Sequence, residues 1–173
     1  MNADLTHKLN PAKIDKGLKQ MRAPFAMTLF QGAKMPLGLA AGLTLDKIDR
    51  DVCEISIPGG WRTQNPFGSM YWAAQGMAAE MATGIHPFIL SQAAPVPVQM
   101  ILGSCQGTFV KMCKGRARFV FGQGALVAEK LEATIATGER LECPTEVIGY
   151  DPSGDEVSRW VFTWSLKAKR PKA

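Results

Sequence analysis

Residues 69–85 read SMYWAAQGMAAEMATGI, a run rich in Ala and Met that contains no proline and is closed by Gly84 and His86-Pro87. The composition predicts a helix, and the glycine and proline predict its stop. Around it, the 48 residues between Arg62 and Lys111 hold a single formally charged side chain, Glu80. A helix that is apolar nearly all round packs inside a core instead of lying on a surface. Ala73, Ala74, Gly76, Ala78, Ala79 and Ala82 would let its backbone approach a covering sheet closely. An unpaired carboxylate in such a setting costs several kcal/mol or is met by a raised pKa. Glu80 therefore either points to solvent or to an arginine from another segment, or it is a perturbed carboxylate at a partly desolvated site, acting as general base or nucleophile. Gly76, one turn earlier on the same face, either leaves an open space for a substrate beside Glu80 or marks ordinary close packing of helix on sheet.

Before the helix, RTQNPFGSMYW places Asn65, a proline and Gly68 ahead of the first turn. The first N–H groups of a helix have no intrahelical partner, and the macrodipole there favours negative charge. The amide of Asn65 and the backbone N–H near Tyr71 and Trp72 can polarise a carbonyl oxygen, although Asn-Pro also opens turns that carry no chemistry. About eight residues at ~1.5 Å rise separate this end from Glu80 by roughly 12 Å, too far to meet one carbonyl. Two antiparallel copies of the helix across a two-fold axis would pair the start of one with Glu80 of the other.

The remaining chain predicts short helices over 11–22, capped by Asn10, and over 24–33, ending at Gly32, followed by a Pro-Gly loop, MPLG. Two strand segments follow between Leu39 and Pro58, with DKIDRD as a turn or bulge between them. Further extended segments fall at 97–113, 116–122, 140–150 and 156–168. The run GALVAEKLEATIAT at 124–137 is helical by its Val127, Leu131, Ile135 spacing, and DPSGDE supplies a hairpin turn. Trp160, Phe162 and Trp164 alternate in the last strand and read as core or dimer contact. The pattern is α+β.

The whole chain has 173 residues and a formal charge of +5, a length that suits one domain with its own core. Residues 1–22 carry +3 and residues 165–173 carry +4, so the 142 residues between them are slightly acidic, at −2. That distribution argues against a nucleic-acid surface. Cys53, Cys105, Cys113 and Cys143 are widely spaced, with no CxxC and only two histidines, which predicts reduced, buried thiols and no metal site. The polar N-terminus lacks the apolar stretch of a signal peptide, and no span reaches the ~20 apolar residues of a membrane helix. The first of these features points to the cytoplasm. Lys111, Lys114, Arg116 and Arg118 form the one compact internal basic cluster. It either meets phosphate or is a charged edge that blocks aggregation.

The stretch NPFGSMYWAAQGMAAEMATG resembles the hotdog-fold acyl-CoA thioesterases, in particular the phenylacetate-pathway and 4-hydroxybenzoyl-CoA type and a related branch of that superfamily. The resemblance implies a hotdog fold, with a long central helix wrapped by an antiparallel sheet and two subunits joining their sheets. A single domain over 1–173 would then comprise a helical extension (1–38), a hotdog core (39–168) and a basic tail (169–173). The family motif has Gln or Asn, often with Pro-Phe-Gly, then His-Gly-Gly at the helix start and an acid nine residues after that His. Asn65-Pro66-Phe67-Gly68 matches the first part and Glu80 falls nine residues after Tyr71, but Tyr71-Trp72-Ala73 replaces His-Gly-Gly. The resemblance implies Glu80 as base or nucleophile, the N–H of Trp72 as oxyanion donor and Asn65 as polarising amide. Gly68, Tyr71, Gly76, Thr83, Lys114, Arg116 and Arg118 would line the substrate. The implied activity is hydrolysis of a coenzyme A or acyl carrier protein thioester, by a homodimer that can pair into a tetramer, with no metal or organic cofactor. A non-catalytic acyl-CoA binder is the alternative. A dehydratase is disfavoured, because His86 lies beyond the expected end of the helix.

Overall fold

The computed structural model describes residues 8–169. Three short helices come first: α1 (Pro11–Arg22), α2 (Ala26–Lys34) and α3 (Pro36–Ala41). The Asn10 side chain accepts the Lys13 N–H at 3.2 Å, so α1 begins where the cap residue predicts. Beyond it, α2 runs through Gly32 instead of ending there, and the expected MPLG loop is α3. Pro36 sits at the first position of α3, where a missing N–H costs nothing, and the Gly42 cap has φ +83°.

The hairpin strands β1 (Thr44–Ile48) and β2 (Cys53–Ile57) lead to the long helix α4 (Trp72–Ala93). Then come β3 (Val98–Phe109), β4 (Ala117–Phe121), α5 (Gly124–Thr137), β5 (Arg140–Tyr150) and β6 (Glu156–Ala168). The six strands form one antiparallel sheet in the order β1-β2-β4-β5-β6-β3, and α4 packs along it. Trp160 of β6 explains the close fit. A Cβ built on Gly76 of α4 would lie 3.1 Å from its ring, and one on Gly107 of β3 would lie 2.7 Å away. The indole therefore occupies space that two glycines leave open on opposite elements. Trp164 fills the corresponding place beside Gly84, 3.2 Å from a Cβ there. Trp160, Phe162 and Trp164 are all buried, as core residues.

The predicted stop of α4 at Gly84 and His86-Pro87 is corrected: the helix continues to Ala93. A proline inside a helix costs ~3 kcal/mol. Continuation buries Ile89 and Leu90, each contributing ~1.5–3 kcal/mol, so packing offsets the local penalty. His86 is also drawn into the core, its Nε2 2.9 Å from the Asp49 carbonyl and its ring against Phe121. Desolvation lowers its pKa, leaving it neutral.

Three cysteines are buried as expected, but Cys105 is exposed because β3 is an edge strand. No helix among the described residues is long and apolar enough to cross a membrane. The basic tail at 170–173 lies outside the described residues.

Candidate active site

The loop before α4 is organised by Asn65. Its Oδ1 accepts the N–H groups of Phe67 (3.0 Å) and Ser69 (3.1 Å), and its backbone N–H donates to the Ser69 carbonyl at 2.8 Å. Two donors on one side of the amide fix that atom as oxygen, and Nδ2 has no acceptor among the described residues. Gly68 supplies the φ of +75° that closes this turn, with open space around it. Gly68 is thus a turn residue on an open surface.

The N–H of Tyr71 donates to the Thr63 carbonyl at 2.7 Å. Trp72 opens α4, and its own N–H has no intrahelical acceptor. The Tyr71 and Trp72 rings meet edge to face at 5.7 Å and are exposed, Trp72 by 56%. Their bulk lies on the surface of this chain. A hollow of about 630 Å³, with Leu37, Trp61, Tyr71, Ala73 and Met77 in its wall, adjoins the same end of the helix.

Glu80 lies further along α4, half-buried, and its carboxylate has neither an ion pair nor a hydrogen bond among the described residues. Burial pushes its pKa up. It borders an apolar pocket of about 250 Å³, with Phe30, Met35, Phe88, Met100 and Trp164 among the other walls. The arginine partner weighed from sequence is not there. Its Oε1 is 3.6 Å from where a Gly84 Cβ would stand, so the absence of a side chain at Gly84 keeps space beside the carboxylate.

Gly76 and Thr83 are corrected as binding residues, and Arg116 and Arg118 are found in ion pairs. Gly76 leaves no open space beside Glu80, because the Trp160 ring fills it. Thr83 is fully buried, and its hydroxyl donates to the Glu80 carbonyl and accepts from Trp164 Nε1 at 3.2 Å. It holds the indole in place and is not available to a substrate. In the basic cluster, Arg116 pairs with Asp46 at 2.9 Å, Arg118 pairs with Glu54 at 2.8 Å, and Lys111 is held by Asp151 and Asp155, both at 2.7 Å. Most of that charge is compensated on the outer face of the sheet. Lys114 is exposed and has no ion pair among the described residues.

Two features lay outside the sequence reading. Phe30 and Met35 of the N-terminal helices reach the Glu80 pocket, and no local pattern links them to a residue so distant in the chain. The edge strand β3 presents Ile101 and Phe109 outward, and its long outer edge, free on the side away from β6, templates pairing with another strand.

A long helix wrapped by a single antiparallel sheet, with a carboxylate inside it, is the hotdog fold. Within it, the chain belongs to the family described as a domain of unknown function, DUF4442, whose model matches residues 25–166. A protein of unknown function from Chlorobaculum tepidum has a similar structure at 14% identity, with a TM-score of 0.70, 97% of this chain and 100% of that chain covered. A mutant thioesterase from Pseudomonas aeruginosa is similar at 12% identity and TM-score 0.62, covering 88% and 94%. A thioesterase from Haemophilus influenzae is similar at 12% and 0.59, covering 82% and 90%. No curated protein matches the chain. At these identities the likeness establishes the fold, which hosts more than one chemistry.

Proposed function

We propose that the protein is a thioesterase that hydrolyses acyl thioesters of coenzyme A or acyl carrier protein. The observation that carries this reading is the unpaired, half-buried carboxylate of Glu80, bordering an apolar pocket with its pKa raised by burial. A base poised nearer neutral pH removes a proton from water efficiently. The similar thioesterase structures from P. aeruginosa and H. influenzae support the class.

In the reaction, Glu80 either deprotonates a water that attacks the thioester carbonyl or attacks that carbon itself, with water then cleaving the anhydride. The C–S bond breaks, the sulfur leaves as thiolate and takes up the proton, and acid plus free thiol result. The N–H of Trp72 and the Nδ2 amide of Asn65 stabilise the oxyanion. Eight residues of one helix separate Trp72 from Glu80 by ~12 Å. The site is therefore assembled from two subunits, the helix start of one beside Glu80 of the other. The apolar outer residues of edge strand β3 favour pairing of two copies there. The setting is cytoplasmic, and Lys114 is the member of the basic cluster that carries no ion pair among the described residues and meets a phosphate.

The test is hydrolysis of short, aromatic and long acyl-CoAs, followed with a thiol-trapping dye, for the native protein and Glu80→Ala. Release of thiol by the native protein and not by the variant supports the reading. Binding of acyl-CoA without any release by the native protein establishes the non-catalytic binder instead. Asn65→Ala is expected to lower kcat by ~10²–10³-fold, the usual cost of one oxyanion donor. Steady-state kinetics on the best substrate check it, and an unchanged kcat would remove Asn65 from the site.

A further inference from the structure

The pocket beside Glu80 has a shape and a chemistry that restrict what can enter it. Along α4 its wall runs from Glu80 through Gly84 to Phe88, eight residues, or ~12 Å of helix. At the far end the Phe88 ring meets Phe30 of α2, centroids 5.4 Å apart, and the pair borders the pocket opposite the carboxylate. Met35, Met81 and Met100 form much of the remainder, unbranched side chains that adapt to an apolar guest. Glu80 is the one acidic or basic side chain in the lining. The only other polar lining group is Trp164 Nε1, and it is already donated to Thr83.

We infer that this pocket takes the acyl chain of the substrate and selects an unsubstituted chain of medium length, about eight to ten carbons, with Phe30 and Phe88 as its end wall. The inference rests on the thioesterase reading above. The span along α4 sets the length. A C–C bond of ~1.5 Å advances an extended chain by ~1.3 Å, so ~12 Å admits about nine bonds. A longer chain would have to displace the Phe30–Phe88 pair. A hydroxyl at the chain end would lose its water and find no partner, which lowers affinity by roughly tenfold or more. The helical extension thus sets specificity at a site whose reacting group belongs to the central helix.

The experiment measures both binding and turnover for straight-chain acyl-CoAs from acetyl to hexadecanoyl. Binding is read by calorimetry on Glu80→Gln, and kcat/KM is read on the native protein. Kd is expected to tighten by about fourfold per added methylene, from ~0.8 kcal/mol each, up to octanoyl or decanoyl and then to level or weaken. Phe30→Ala or Phe88→Ala is expected to move that optimum to chains two to four carbons longer. Either variant suffices should the other fail to fold. A binding optimum that moves in this way, without any hydrolysis by the native protein, supports the pocket and ends the thioesterase reading. Affinity that rises steadily through hexadecanoyl, or an optimum that neither variant shifts, overturns the pocket even where hydrolysis is intact.

Discussion

Glu80→Gln is expected to lower kcat/KM by at least ~10²–10⁴-fold, the contribution of a positioned general base, while making the folded protein more stable at neutral pH. The two effects have one cause. Burial raises the Glu80 pKa, and no cation or hydrogen-bond donor among the described residues compensates the charge. For a carboxyl whose folded pKa lies above its unfolded value, the native state holds its proton over a range where the unfolded chain has released it. Stability therefore falls as pH rises from the unfolded pKa to the folded one, and the full penalty persists above. Glutamine keeps the shape and removes the penalty. Thermal melts of the two proteins should coincide in acid and separate toward pH 7, with the variant melting higher. The native pH–rate profile should carry an acid limb above the ordinary glutamate pKa of about 4.3, since activity requires the ionised carboxylate. A variant that is inactive and also less stable at pH 7 would mean that Glu80 is a structural residue.

Trp160→Ala is expected to cost ~3–5 kcal/mol, the range for emptying the space of a large buried aromatic. That is a large share of the ~5–15 kcal/mol that holds a domain together. The indole is only 3% exposed and stacks on Phe162 at 6.0 Å, with Phe109 edge-on at 5.4 Å. Its Nε1 donates to Ser158, whose hydroxyl in turn donates to Gln75 of α4. Removal empties the space between Gly76 and Gly107 and strips a partner from a buried polar chain, so the surroundings cannot collapse without moving α4 or β3. A fall in Tm of roughly 6–20 °C follows for a chain of this size. A change of two or three degrees would mean that the helix is held elsewhere.

The same indole explains why parts of the molecule were legible in the sequence and others were not. Strands β5 and β6 and helix α5 begin and end where alternation and the Val127, Leu131, Ile135 spacing predict, because their patterns are local and agree with their packing. Glu80 was visible because a single charge in 48 residues is itself a signal of burial. The sequence leaves Gly76 open between substrate space and close packing, because the neighbour that decides for packing, Trp160, comes from a strand far along the chain. The end of α4 was misread because Pro87 is a local stop that the burial of Ile89 and Leu90 overrides. The pairing within the basic cluster is hidden for the same kind of reason: Asp46, Glu54, Asp151 and Asp155 are brought to it only by the folded sheet. The pocket wall at Phe30, Met35 and Met100 needs two segments far from Glu80 in the chain and has no signature in either of them.

The central claim, a hydrolytic site shared between two subunits, is tested most directly by mixing two inactive variants. Glu80→Gln lacks the base and Asn65→Ala lacks the oxyanion amide. After unfolding and refolding together in equal amounts, half of the dimers are mixed, and each mixed dimer holds one site with both native groups. Thiol release from the preferred acyl-CoA should then return to about a quarter of the native rate. A mixture that forms mixed dimers yet releases no more thiol than its two components separately would contradict the shared site.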